Sequence, residues 1–314
     1  MPLYNKAPYV VKAIESVLSQ TCDDYELVIM DDGSKDDSYA IALKVVGGHP
    51  KCCLYQQENA GVSMARNNAV ALSHGEYLCF LDADDWWDPF FLEEMSKLID
   101  EFPDAGIYGT NYTVVNETKH KTGVAKVGVE KDFIKGYINY CRVYAKTLAM
   151  PLWTGAVCVP RKIFNEMGGF PKGIKYGEDF MLWIQITLKY KVVFLNESLA
   201  YYNQDVDAEN RGVGKLYEPQ YHMFWNLEFL SEEERTNPDF KQLVDNFRTY
   251  GLLPYYLSKE YHIAAKKELG KVDWRMQSKK IRKQYQRPLL VLRIENRVRK
   301  LGSMGKQWLF RILK

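Results

Sequence analysis

The chain has 314 residues, 46% of them hydrophobic, with 42 Lys and Arg against 40 Asp and Glu. That length and apolar content supply a sizeable core and exclude a chain that is disordered over most of its length. No run of eighteen uninterrupted apolar residues occurs, so neither a spanning helix nor a signal peptide is expected.

In chain order, residues 26–30 form a short apolar run that reads as a buried strand and delivers Asp31-Asp32-Gly33-Ser34. A helical pattern follows over 37–46. Residues 59–67 make a turn feeding a helix, where Gly61 permits an unusual backbone angle and Arg66 offers a fixed fork for a phosphate or carbonyl group. Residues 77–81 read as a second buried strand of the parallel-sheet kind, ending in Asp82-Ala83-Asp84-Asp85. Both acidic ends are expected on the same edge of one sheet, where open α/β sheets bind ligands. Carboxylates this close repel unless a cation or a shared proton lies between them. Mg²⁺ or Mn²⁺ takes oxygen ligands and leaves room for substrate phosphates. The plainer reading is an acidic, solvated strand-to-helix loop.

Alternation of strand and helix is expected to about residue 102. Beyond it, 105–115 reads as strand, 116–128 as a polar excursion, 153–160 as strand and 161–167 as a short helix. Gly168-Gly169 then leads to a helix that carries Glu178 and Asp179 and runs to 189. Trp86, Trp87 and Trp153 present aromatic planes that suit either sugar stacking or plain packing. No persuasive Ser or Cys triad accompanies them. Six cysteines without C-x-x-C spacing read as reduced residues of a cytoplasmic protein, not as zinc ligands or a disulfide frame. Of five scattered histidines, His222 is a minor candidate for a late metal ligand.

The near-neutral total conceals an asymmetry. Residues 259–314 carry 17 Lys and Arg against 4 Asp and Glu, whereas residues 1–258 carry 25 against 36. Within this tail Leu290, Ile294, Val298 and Leu301 share one helical face, and Trp308 to Leu313 form an aromatic, apolar end. Basic amphipathic helices with Trp and Leu lie in anionic membrane interfaces. The alternatives are an extension packed on its own domain or on a partner, including a homodimer. Nucleic acid is disfavoured, because no binding motif accompanies the charge.

Taken together, Pro2-Leu3-Tyr4-Asn5, residues 14–20, Asp31-Asp32-Gly33-Ser34, residues 59–67, Gly75-Glu76-Tyr77, residues 80–85, Gly168-Gly169-Phe170, Gly177-Glu178-Asp179 and Leu182-Trp183 resemble the family 2 inverting glycosyltransferases. Members of that family involved in bacterial surface polysaccharides are the nearest in kind. The resemblance covers roughly residues 1–203. It implies an α/β fold of the GT-A type, with a Rossmann-like nucleotide-binding half over 1–104 and a mixed acceptor half over 105–210. Residues 211–314 would then form a helical extension ending in the basic tail.

The resemblance also implies roles. Tyr4 and Asp32 match residues that hold the nucleotide base, usually uracil, and Arg66 matches one that contacts the base or a phosphate. Asp82 and Asp84 match the D-x-D motif, with Asp84 the first choice for ligating Mn²⁺ or Mg²⁺ and Asp82 the second. Pro2 and Ala83 complete the expected donor-binding set. Asp179 matches the general base that takes the acceptor's proton, with Glu178 as the neighbouring candidate, and Trp86, Trp87 and Trp153 fall to the acceptor side. The implied reaction moves a sugar from a nucleotide-sugar donor, UDP by family habit, to a glycan or lipid-linked acceptor. The setting is the cytoplasmic face of a cell membrane.

One departure stands out: family members carry an apolar strand ahead of the position of Pro2, and here Met1 stands there. An internal methionine taken as the start is the favoured account, and a weakened sheet is its expected consequence. Two rival functions stand against the transferase. A nucleotidyltransferase would show a glycine-rich loop near Pro2-Leu3-Tyr4-Asn5-Lys6, which lacks it. A non-catalytic protein that holds a nucleotide sugar or tethers to a membrane would not need Asp82, Asp84 and Asp179.

Overall fold

A computed structural model describes residues 1–206 and 215–298. From the N-terminus, β1 (Pro2–Leu3), α1 (Val10–Leu18), β2 (Leu27–Asp31), α2 (Ser38–Val46), β3 (Cys52–Gln56) and α3 (Val62–Leu72) alternate as the apolar pattern predicts. Then come β4 (Tyr77–Cys79), β5 (Trp86–Trp87), α4 (Phe91–Glu101), β6 (Ala105–Asn116), β7 (Lys121–Val124), β8 (Lys135–Ile138) and α5 (Tyr140–Thr147). The remainder of this part is β9 (Val157–Pro160), α6 (Arg161–Glu166), α7 (Glu178–Lys189) and β10 (Lys191–Asn203). These elements lie in the first of two compact units, Met1–Phe229; the second begins at Leu230.

The strands form two sheets, where one was expected. β1, β2 and β3 pair in parallel in that order, while β4 belongs to a seven-stranded mixed sheet ordered β4-β9-β6-β10-β5, with β7 on β6 and β8 on β10. β4 stops at Cys79 and pairs antiparallel with β9, so its acidic end does not share hydrogen-bonded strands with that of β2. β1 spans two residues against the five of β2, and residues of both β2 and β4 line a cavity of about 760 Å³. Val28, Val70, Leu78, Leu81, Met95 and Ile99 are among its lining residues. Upstream of Leu3 the Met1 ammonium donates to Val28 O at 2.8 Å. Burial pushes its pKa down to about 5.

A common core nevertheless spans both sheets, including Leu3, Ile14, Ile29, Leu81, Phe91, Met95, Leu98, Tyr108 and Val193. β2 is buried along its whole length, as its unbroken apolar run requires. β6 and β10 are the long parallel pair at the centre of the second sheet.

The second unit is helical: α8 (Ser231–Thr236), α9 (Pro238–Gly251), α10 (Leu253–Leu257), α11 (His262–Leu269) and α12 (Lys279–Gln286), with residues 289–298 also helical. Its core holds Phe240, Leu243, Val244, Leu252, Tyr255 and Ile281 beside a buried ionic network in which Arg248 pairs with Glu234 and Lys241 with Asp245. Leu290, Ile294 and Val298 are 70%, 53% and 63% exposed, so the apolar face read from their spacing is left open. Leu301 and the residues 308–313 lie outside the described residues. Among the described residues no helix is long and apolar enough to cross a membrane.

Candidate active site

The loop after β1 and the loop after β2 are sewn together by short polar side chains. Asn5 adopts a left-handed φ of 49°; its N–H donates to Ser34 Oγ and its Oδ1 accepts from Lys35 N. Lys6 N donates to Ser38 Oγ at 2.7 Å. Tyr4 stands beside them, 40% exposed and open to a ligand, with Pro2 just upstream in β1.

Asp32, at the end of β2, is buried. Its carboxylate accepts from Gln57 Nε2 at 2.7 Å, Ala60 N at 2.8 Å and Gly61 N at 2.9 Å. A carboxylate has about four lone-pair sites, so one acceptor position remains. Gly61 sits at φ 88°, ψ 161°, a conformation reserved for glycine, which turns its N–H toward Asp32 at the head of α3.

α3 then delivers Arg66 and Asn67 into the interior. The Asn67 amide clamps Phe170 by two bonds of 2.9 Å, and Phe170 packs edge-on against Phe80 and Trp183. This clamp brings the Gly168-Gly169 turn onto α3. The buried Arg66 guanidinium donates through Nη2 to Asp82 Oδ1 at 2.7 Å and through Nη1 to Glu178 Oε1 at 3.1 Å. Its fork, expected on a phosphate or carbonyl group, is taken up by two carboxylates from distant parts of the chain. Burial opposes ionisation of Asp82, but Arg66 outweighs it and holds Asp82 below the usual carboxylate range.

The other two carboxylates of the cluster behave differently. Burial raises Asp84, and the charge of Asp82 adds to this while Lys6 opposes it; Lys6 Nζ lies 2.6 Å from Asp84 Oδ2. Burial, then the charges of Asp84 and Asp82, push Asp85 well up, and its Oδ1 accepts from Asn203 N at 2.7 Å. Asp82, Ala83, Asp84 and Asp85 occupy a tight turn closed by Asp85 N donating to Asp82 O. Among the described residues no group of three or more acidic, His or Cys side chains is arranged to hold a metal. The turn offers oxygen donors of the kind a hard cation takes, and Arg66 and Lys6 balance the charge of Asp82 and Asp84 there.

α7 opens at Gly177, φ 80°, and places Glu178 and Asp179 in its first turn. Asp179 Oδ2 accepts from the buried Thr154 hydroxyl at 3.0 Å, and Oδ1 from Phe180 N at 2.7 Å. Burial and the charge of Asp179 raise Glu178 to about 7 although Arg66 opposes them. Tyr144 and Tyr176 face the same charge, since burial and then Asp179 raise both phenols.

The tryptophans divide. Trp87 is core: it stacks on Phe91 at 4.3 Å and its Nε1 donates to Gly155 O, so its plane is not offered to a ligand. Trp86 is half-buried, stacked on Tyr201, with Lys12 Nζ 3.0 Å from its ring centroid. Trp153 is 8% exposed between Tyr112 and Tyr202, one residue before Thr154. His222 packs among Tyr176, Phe224 and Trp225 with Nδ1 accepting from Phe224 N; burial lowers its pKa to about 4. Lys6, Thr154, Tyr144 and Tyr176 escape the sequence reading, because no local pattern marks a residue whose partner lies tens of residues away.

Residues 1–167 match the family described as Glycosyl transferase family 2. The chain belongs to glycosyl transferase family 2. A glycosyltransferase of Rickettsia typhi is 27% identical over 74% of this chain and 72% of its own length. The chondroitin synthase of Escherichia coli is 28% identical over 69% of this chain, and GlyA of Streptococcus pneumoniae 32% over 64%. The chain spans only 30% of each of those two proteins. In three dimensions this glycosyltransferase is similar to Staphylococcus aureus TarS 1-349, a structure in complex with UDP-GlcNAc, with a TM-score of 0.71 at 17% identity over 88% of this chain and 81% of that one. That likeness identifies the fold as GT-A, a Rossmann-like nucleotide-binding sheet joined to a mixed one.

Proposed function

We propose that this family 2 glycosyltransferase transfers a sugar, with inversion, from a nucleotide-sugar donor, UDP-linked in the first instance, to a glycan or lipid-linked acceptor in cell-surface polysaccharide synthesis. The observation that carries the reading is the bridge Asp82–Arg66–Glu178. It joins the acidic turn to the head of α7, next to Asp179, so the two chemical centres the reaction needs are held by one buried cation. TarS and its bound UDP-GlcNAc support the nucleotide-sugar part of the reading.

In this account Tyr4 and the remaining acceptor position of Asp32 receive the base, with Pro2 and Ala83 lining the donor. Mn²⁺ or Mg²⁺, held by Asp84 with Asp82, would supply charge neutralisation at the departing diphosphate. Asp179 takes the proton of the acceptor hydroxyl as its oxygen bonds to the anomeric carbon and the bond to phosphate breaks on the opposite face. Positioning and charge stabilisation suffice for such a single displacement, so no nucleophilic Ser or Cys is required. Trp153 with Tyr112 and Tyr202, and Trp86 beside Tyr201, form the aromatic surroundings in which an acceptor sugar would stack. The open apolar face at Leu290, Ile294 and Val298 and the basic composition around it support docking on an anionic membrane.

A panel of UDP-, GDP- and dTDP-sugars, incubated with Mn²⁺, Mg²⁺ or EDTA, tests this by release of nucleotide diphosphate. One donor is expected to be consumed, only with metal, and Asp84→Ala is expected to silence it. Absence of release together with absence of any donor-induced thermal shift would leave a tethering protein instead. Flotation with anionic liposomes checks the membrane part. A protein that stays in solution and glycosylates only free, water-soluble acceptors contradicts it.

A further inference from the structure

Each carboxylate of the acidic turn has its own partner, and the partners are not equivalent. Asp85 is tied to the backbone N–H of Asn203. Asp82, itself 35% exposed, is held by Arg66, whose side chain is 4% exposed and also bound to Glu178, so withdrawing that buried cation would unpair two acids at once. Asp84 is held by Lys6, with both side chains partly open, 14% and 17% exposed. Lys6 rides a flexible four-carbon stem whose backbone is pinned through Ser38 in the loop that follows β1, two residues from Tyr4. One cation of this cluster can therefore leave without dismantling the site.

We propose that Lys6 is a built-in counter-cation: it occupies Asp84 in the donor-free protein and exchanges its place there for the divalent ion when the nucleotide diphosphate arrives. This inference rests on the metal-dependent reading above. A bare cation must break the Lys6–Asp84 pair, whereas a nucleotide diphosphate offers the ammonium phosphate oxygens in return. Metal and nucleotide thus bind with positive coupling, and by linkage each tightens the other by the same factor. Lys6 is a positioning and selectivity residue in this scheme. It keeps the acidic turn intact without metal and makes metal capture conditional on donor.

The test is Mn²⁺ binding by the full chain, followed by electron paramagnetic resonance of the free ion, with and without UDP. Wild type, Lys6→Gln and Lys6→Arg are compared, each checked for an unchanged circular dichroism spectrum. Lys6→Gln is expected to bind Mn²⁺ roughly tenfold more tightly without UDP, and the gain on adding UDP is expected to shrink by a similar factor. Lys6→Arg, which retains a cation, should stay near wild type. Equal Mn²⁺ affinity and equal UDP coupling in wild type and Lys6→Gln would overturn the role of Lys6 alone. Failure of wild type to bind Mn²⁺ even with UDP would overturn the metal-dependent reading and this inference with it.

Discussion

Thr154 is buried beside Asp179 and its hydroxyl spans 3.0 Å to Oδ2, while Phe180 N holds Oδ1. The carboxylate proposed as general base is thus oriented at both oxygens. Thr154→Val keeps the shape and removes the donor. It is expected to lower kcat by about tenfold, the scale of one lost hydrogen bond to a charged group, with donor KM unchanged. Thr154→Ser should restore most of the rate, which packing alone would not explain. Glu178, by contrast, is held protonated to about pH 7 by burial and by Asp179. Between the ordinary carboxylate range and pH 7 the folded chain keeps a proton that the unfolded chain has released, so this group makes stability fall as pH rises through that window. Melts of wild type and Glu178→Gln from pH 5 to 8 check this, and the variant should lose the downward component.

Among the elements, α7 depends most on one residue. Gly177 starts it at φ 80°, and a Cβ there would lie 2.2 Å from Met223 Sδ. Gly177→Ala combines left-handed strain of about 1 kcal/mol or more with that clash. A fall in melting temperature of several degrees and a loss of transfer are expected together, because the helix start carries both Glu178 and Asp179. Scanning calorimetry and a transfer assay check it. This element was legible in the sequence, as were α2, α6 and the strand β2, since each pairs an apolar period with a local start or stop signal. The strand expected over 77–81 is present but shorter, Tyr77–Cys79: Phe80 and Leu81 continue its apolar run into the core, beyond the pairing with β9. Trp87 shows the same limit. Its composition suits a sugar platform, and only its contacts with Phe91 and Gly155 reveal packing.

At the scale of the molecule, the two acidic turns follow strands of separate sheets, with a cavity of about 760 Å³ lined by residues of both β2 and β4. The placement of Asp32, Asp82 and Asp84 after apolar runs and of Asp179 at a helix start was legible in the sequence, whereas the roles proposed for them come from the family resemblance. Their bridging by Arg66 and Lys6 was not legible, since it arises from the packing of α3 and the first loop against a distant helix and turn.

The central claim is that Asp179 performs the proton transfer at a donor site assembled by Asp32, Arg66 and the acidic turn. Its most direct measurement is one titration and one rate on Asp179→Asn: donor affinity and sugar transfer with the donor found by the panel. Donor binding is predicted to stay within a factor of about two of wild type and transfer to slow by about 10²–10⁴, the range for loss of a general base. Transfer at the wild-type rate, with the substitution confirmed by mass spectrometry of the purified variant, would contradict it.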